Sequence, residues 1–320
     1  MTSVLVIGGS GFIGSHMVAK LSALGVRVIV PVRRQEHGKH LIYLPQLQVE
    51  QADVHQDAVL QRLTKGVDAV INLVGVLHSS RGVPYGRQFA QLHVALPQRI
   101  VNACVLNQVP RLLHMSALGA AKDAASMYLR SRFDGELAAK SNPALAATIF
   151  RPSVVFGPED KFINLFAKMQ QFLPFVPLGG ADARFQPVFV EDVAQAFVNA
   201  LLDPDSKGRT YELAGPAVYT LAQIVQLAGQ YAGCRRPIIK LPLTLARCQA
   251  RLFELLPGEP LMSRDNLDSM QLDNVIAAAS PASTLESLGI KPTALEAVAP
   301  QYVGAGMLQH MDAFRSRAGR

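Results

Sequence analysis

Residue type and spacing point to chemistry in two places. Gly8-Gly9-Ser10-Gly11-Phe12-Ile13-Gly14 satisfies G-x-x-G-x-x-G through Gly8, Gly11 and Gly14, and G-x-G-x-x-G through Gly9, Gly11 and Gly14. Glycines so spaced between a strand and a helix allow a tight turn and let the helix N-terminus meet a pyrophosphate. Outside that context the same string is an ordinary glycine-rich turn. Arg33 follows Gly14 by 19 positions, Arg34 comes next, and no carboxylate appears before Glu36. A carboxylate there would bind a ribose 2′-hydroxyl, whereas a guanidinium binds a 2′-phosphate. The spacing therefore favours NADP(H) over NAD(H), against the plainer reading of two solvated surface arginines. Asp53-Val54 falls where an adenine edge can be hydrogen-bonded or, equally, where a helix over 54–64 would be capped. The second place is Tyr128 with Arg132, four residues on. Positions i and i+4 share a helical face, so phenol and guanidinium can point into one cleft.

These groups need elements to hold them. A short apolar run at 4–7, a helical pattern at 12–24 and β-branched alternation at 26–32 place the glycines in a β-α-β unit. Further strands are expected at 47–51, 69–74, 111–115 and 147–151, with helices at 57–64, 86–107 and 126–141. Such alternation predicts an α/β fold: a Rossmann-like doubly wound parallel sheet over 1–155, with a return segment at 187–206, and a smaller C-terminal α/β cap over 156–320. Pro97 lies inside the third helix and should kink or displace it. After Arg151-Pro152 the pattern turns irregular, with helices expected at 161–172, 191–202, 221–232, 243–256 and 264–272 and a strand at 210–213. The stretch 243–256 sets Leu245, Leu252 and Leu256 on one stripe, with Arg247, Arg251 and Glu254 elsewhere. A stripe of that kind usually packs into a core; a basic amphipathic helix also lies on an anionic membrane or a partner subunit.

Composition narrows the class. Of 320 residues 49% are hydrophobic and 17% charged, which excludes disorder as the main state. The net charge of +7 is scattered rather than clustered, so nucleic acid is not an expected partner. Cys104, Cys234 and Cys248 are far apart and form no C-x-x-C, which suits a reducing compartment. With no basic segment ahead of the first strand and no apolar run near ~18 residues, a soluble, cytoplasmic protein is expected, able to touch the inner membrane from one side. The eight histidines show no metal-ligand spacing, and no metal is expected.

With these strings in view, the chain resembles an extended, or atypical, short-chain dehydrogenase/reductase of the NAD-dependent epimerase/dehydratase type. Segments 72–75, 114–119, 128–131, 151–158 and 185–188, with 191–193, are similar to the branch that contains the NADPH-binding accessory subunit of mitochondrial complex I and its bacterial relatives. The resemblance implies a catalytic group of Ser116, Tyr128 and Arg132. Tyr128 would be the acid/base, Ser116 would orient the substrate, and Arg132 stands where the family has the lysine that stabilises the phenolate and holds the nicotinamide ribose. Arginine keeps the charge but cannot pass a proton along a relay. Val74 and Gly75 join the cofactor-binding set, and because Arg151-Pro152 ends the sixth strand near the nicotinamide side, Pro152, Val154 and Phe156 either wall that ring or form a plain strand-to-loop exit. Asp160 and Asp192 read as helix-end residues and His93 as a core or surface histidine. Three functions follow: NADP(H)-dependent interconversion of a carbonyl and a hydroxyl compound, linked to quinone or respiratory metabolism; a non-catalytic NADPH-holding or redox-sensing subunit; and a nucleotide-sugar epimerase or dehydratase. Substrate and oligomeric state are not readable.

Overall fold

The computed structural model describes residues 3–303 apart from 257, 259, 278, 279 and 281. Its first strand, β1 (Ser3–Ile7), is buried along its whole length and leads through the glycine turn into α1 (Phe12–Ala23). Then come β2 (Arg27–Val32), β3 (Leu47–Gln51), α2 (Asp57–Leu63) and β4 (Ala69–Asn72). The next helix is composite: α3 (Arg87–Phe89), a π-helical stretch over Ala90–Ala95, and α4 (Leu96–Leu106). β5 (Arg111–Met115), α5 (Met127–Ala139) and β6 (Ala146–Pro152) complete this part.

The chain then enters a second compact unit through β7 (Val155–Phe156), α6 (Ile163–Phe172), β8 (Val176–Gly179), β9 (Arg184–Phe185) and β10 (Val188–Phe189). It returns to the first unit for α7 (Val190–Leu202) and β11 (Thr210–Leu213), and leaves again for β12 (Tyr219–Thr220), α8 (Leu221–Tyr231), β13 (Ile238–Leu241), α9 (Leu243–Leu255) and α10 (Arg264–Ser269). Residues Ile276–Lys291 belong once more to the first unit, and α11 (Leu295–Tyr302) to the second.

The first unit is a seven-stranded sheet in the order β11-β6-β5-β4-β1-β2-β3, and every pairing is parallel. Parallel strands need helical crossovers that cover both faces, which is why β1, β4 and β5 show no alternation of burial. On one face Leu60 and Leu63 of α2 and Ile100, Val101 and Cys104 of α4 close over Leu5, Ile7, Val70 and Leu112. At the far edge Phe150 of β6 stacks on Phe197 of α7 at 3.8 Å between ring centroids and on Tyr211 of β11 at 5.5 Å. Ser283 bridges to Tyr211 on the outer side of β11, so part of that edge strand's hydrogen bonding is satisfied.

The second unit has its own core of Phe156, Phe166, Val176, Leu178, Ile224 and Val225, with Leu295 and Ala299 from α11. Three short strand pairs support it, β7 with β10, β8 with β13 and β9 with β12.

Candidate functional site

The order 3-2-1-4-5-6 places the topological switch between β1 and β4, and in open α/β sheets the ligand crevice lies at the carboxyl ends of strands at that point. The glycine turn stands there, and each glycine has a reason. Gly8 has φ +88°, and a Cβ on it would come within 3.3 Å of Leu73 and Val74, so the turn after β1 and the loop after β4 nearly touch. At Gly14 a Cβ would lie 2.3 Å from the Gly8 carbonyl oxygen, which only a bare α-carbon permits. Gly11 is the N-cap of α1; it offers no side-chain cap, and the first turn carries no acidic residue. The leading N–H groups of a 12-residue helix are thus left to an anion.

Arg33 and Arg34 follow β2 directly and are both exposed. Asp53 follows β3 and is exposed too, close enough to Arg33 to feel its charge. Its carboxylate accepts hydrogen bonds from the His55 N–H at 3.0 Å and from the Gln56 amide at 3.2 Å, and these, with the Arg33 charge, hold it below the usual carboxylate range. The expected helix over 54–64 begins at Asp57 with Gln56 as its N-cap, so Asp53 forms a local turn and does not cap the helix. Val54 and Val74 are half-buried against the sheet core.

α5 gathers the remaining candidates. Ser126 caps it by accepting from the Leu129 N–H at 3.2 Å. Tyr128 and Arg132 share a face, as their spacing predicts, with the guanidinium 5.2 Å from the phenol ring centroid. Arg132 is only 6% exposed. Its Nη1 donates to the main-chain carbonyls of Met115 at 3.2 Å and Val74 at 3.4 Å, which fixes it between the ends of β4 and β5. Gly75 is bare because a Cβ would sit 1.9 Å from Arg132 Nη2. The Arg132 Nε has no hydrogen-bond partner among the described residues, and a buried donor of that kind needs an acceptor from elsewhere. Glycine cradle, uncapped helix and the orphaned Nε–H of Arg132 together fit a dinucleotide.

Ser116 stands directly after the carboxyl end of β5, as its spacing suggests. Its hydroxyl donates to Glu136 Oε1 at 2.6 Å, so its single proton is turned to a protein carboxylate. Glu136 is four residues beyond Arg132, on the same face of α5, and is clamped by Arg151 through Nε–H···Oε1 at 2.8 Å and Nη2–H···Oε2 at 2.7 Å. That clamp raises the Arg151 guanidinium further. Extending the i, i+4 spacing by one step would have found Glu136.

Two buried histidines flank Arg132. Asn72 donates to His114 Nδ1 at 3.1 Å, and His93 Nε2 accepts the Val76 N–H at 3.1 Å. His93 therefore carries its proton on Nδ1 and gives it to Ser131 Oγ at 2.8 Å, and Ser131 in turn donates to the Tyr128 carbonyl at 2.7 Å. The His93 ring stacks on Phe89 and meets Tyr128 edge-on. Burial and the Arg132 charge push His93 down to about 2 and His114 to about 3, so both imidazoles are neutral. His93 is thus a core histidine wired to the tyrosine helix.

Of the remaining candidates, Pro152 ends β6 in the first unit. Val154 lies in the second unit, where its N–H donates to Asn274 Oδ1 at 3.1 Å. Phe156 is fully buried in the second unit's core, so its ring is not available to wall a nicotinamide. Asp160 accepts from the Phe162 and Ile163 N–H groups at the start of α6, and Asp192 stands in the first turn of α7.

Comparison with known proteins agrees with this fold. Residues 4–214 match the NAD dependent epimerase/dehydratase family. The mitochondrial NADH dehydrogenase (ubiquinone) 1 alpha subcomplex subunit 9 of Mus musculus is 34% identical over 299 residues, 91% of this chain and 77% of that protein. A ceramide reductase of Caulobacter vibrioides is 27% identical over 242 residues, 75% of this chain and 73% of its own. Among solved structures, MoeE5 in complex with UDP-glucose and NAD superposes with a TM-score of 0.72 at 18% identity, covering 97% of this chain and 99% of that one.

Proposed function

Because the chain belongs to the NAD dependent epimerase/dehydratase family, with the NAD-binding fold that this implies, we propose that it binds NADP(H) and retains it as a held cofactor at the cytoplasmic face of the inner membrane, in or beside a respiratory or quinone-reducing assembly. One observation carries the reading. Arg132 is fastened to two main-chain carbonyls while Ser116 gives its proton to Glu136, so the group that would orient a substrate is engaged by the protein itself and the cation beside Tyr128 is fixed in place. The relatives named as respiratory-complex subunits, in mouse at 34% and in Arabidopsis thaliana at 31% identity, support the assembly.

The turn from Gly8 to Gly14 would take the pyrophosphate, Arg33 and Arg34 the 2′-phosphate, Asp53 the adenine edge, and Val74, Gly75 and Pro152 the nicotinamide half. The bound nicotinamide supplies a site that accepts or donates hydride. Arg132 offers its orphaned Nε–H to the ribose and a fixed positive charge to the Tyr128 phenol.

Denaturing protein purified without added nucleotide, followed by mass spectrometry, tests the proposal. Near-stoichiometric NADPH that exchanges over hours supports retention; an empty site, or NADP⁺ that exchanges in seconds, sinks it. Replacing Arg33 and Arg34 together by Ala should weaken NADPH binding at least ~10-fold and leave NADH unchanged, since charge-assisted contacts are worth ~1.5–3 kcal/mol; equal loss for both nucleotides would remove the NADP(H) preference. The second reading, a slow carbonyl reductase, is favoured by the 5.2 Å pairing of Tyr128 with Arg132 and by the likeness to a ceramide reductase. Under it Arg132→Lys raises turnover of long-chain keto compounds; under retention it changes none.

A further inference from the structure

The 13-residue helix α9 is packed inside out. Its buried positions are Ala246 and Ala250, which with Leu267 of α10 form a small cluster beside β8. Leu245, Leu252, Leu255 and the C-cap Leu256 are exposed, Leu252 by 65% and Leu255 by 75%. At 100° per residue these four fall within one stripe of roughly a third of the helix circumference or less, and Arg251 borders it. An amphipathic helix that serves only its own core turns its leucines inward; here small residues hold the helix down and large ones face out.

The apolar surface continues past the helix. Ala246 lies against Gly179 and the Gln249 amide reaches the Pro177 carbonyl, so α9 runs antiparallel to β8 and carries its C-terminal turn toward the start of that strand. Phe172, Leu173 and Phe175, which lead into β8, are exposed as well, Phe172 by 83%. Arg236 donates to the Gln170 carbonyl and marks the same end from the β13 side.

Charge identifies the occupant. Three carboxylates of this region are engaged among the described residues: Glu254 by Arg264 at 2.7 Å, Asp268 by Arg247 at 2.9 Å, Asp182 by Lys240 at 2.5 Å. Among the described residues Lys168, Arg235 and Arg251 have no ion-pair partner, and all three are exposed. Unpaired cations beside exposed leucines and phenylalanines complement an anionic, apolar-cored surface, and long cationic side chains can keep their heads at a headgroup plane while their stems lie on the apolar layer. At 13 residues α9 is too short to cross a bilayer.

We infer that the outward face of α9, with the Phe172–Phe175 segment, is a docking surface for anionic phospholipid bilayer, on which the helix lies parallel to the membrane plane. The inference concerns the second unit alone and stands whether or not the cofactor reading holds.

Co-sedimentation of the full chain with phosphatidylglycerol-rich vesicles tests it, with pure phosphatidylcholine vesicles as control and released nucleotide measured on the same preparations. Binding to the anionic vesicles is expected, at least ~10-fold weaker after Leu252→Glu with Leu255→Glu, and a few-fold weaker after Arg251→Glu or in 0.5 M salt, where charges are screened within ~4 Å. Circular dichroism and nucleotide content equal to the parent protein certify that the variants fold. No binding to either vesicle overturns the inference, as does binding that the leucine substitutions leave unchanged. A dimer seen by light scattering and dissociated by Leu252→Glu also overturns it, because a second copy of the chain would then cover the face.

Discussion

Protonating His93 or His114 would set a second cation beside the buried Arg132 guanidinium. The native chain holds both imidazoles far below the 6.5 of a free histidine, so the unfolded chain takes up protons that the folded one refuses. Stability is therefore full above pH ~6.5 and falls as the pH drops below it, by ~2 kcal/mol per histidine between pH 7 and pH 5. Urea denaturation midpoints at the two pH values should show that loss, and His93→Gln, which keeps an acceptor for Val76 N–H, should reduce it by ~2 kcal/mol. An unchanged loss would mean that His93 takes up its proton equally in the folded and the unfolded chain. At this scale the sequence was most legible where residues act through local spacing: the tight glycine turn, and Tyr128 with Arg132 on one helix face. It was least legible at Ser116 and Glu136, because the direction of a serine proton depends on a carboxylate 20 residues away, brought close by the packing of α5 on β5 and β6.

At the scale of elements, the proline inside the third helix does more than kink it. Pro97 has no N–H to offer the His93 carbonyl four residues back, and its ring crowds that oxygen. The preceding stretch widens into π-helix, with the Leu96 N–H bonded to the Gln91 carbonyl. The His93 carbonyl instead lies against Gly135 of α5, where a Cβ would be only 2.2 Å from the oxygen. Both sides of that contact are main chain and cannot give way. Gly135→Ala should destabilise by ~2–3 kcal/mol, seen as a lowered thermal midpoint, and should disturb Tyr128 and Arg132 on the same helix, seen as weaker nucleotide binding. An unaltered midpoint would show that α4 and α5 can slide apart. Periodicity placed most of these elements within a few residues, but it cannot report a hydrogen-bond shift from i+4 to i+5. Nor can it say which face of an amphipathic helix is inside, and α9 shows the difference.

For the whole molecule, the order of segments along the chain matters more than their number. The seven-stranded sheet takes six strands from the first 152 residues and its seventh from Thr210–Leu213, with α7 supplied by the same return. A fragment of residues 1–155 lacks the Phe197 and Tyr211 rings that stack on Phe150. It should be a loosely packed species that binds hydrophobic dye, keeps far-ultraviolet dichroism and loses the near-ultraviolet signal; a fragment with a cooperative transition equal to the full chain's would show that the edge strand is dispensable.

The same return sets a timetable for synthesis. Between Pro152 and Leu213 lie ~60 residues, which a ribosome adds in ~3–12 s, and through that interval the nascent chain carries a six-stranded sheet whose last strand, β6, has an open edge. A strand left unpaired for seconds is a site for chaperone capture or for pairing with a neighbouring nascent chain, so the yield of folded protein should depend on how quickly that stretch of message is read.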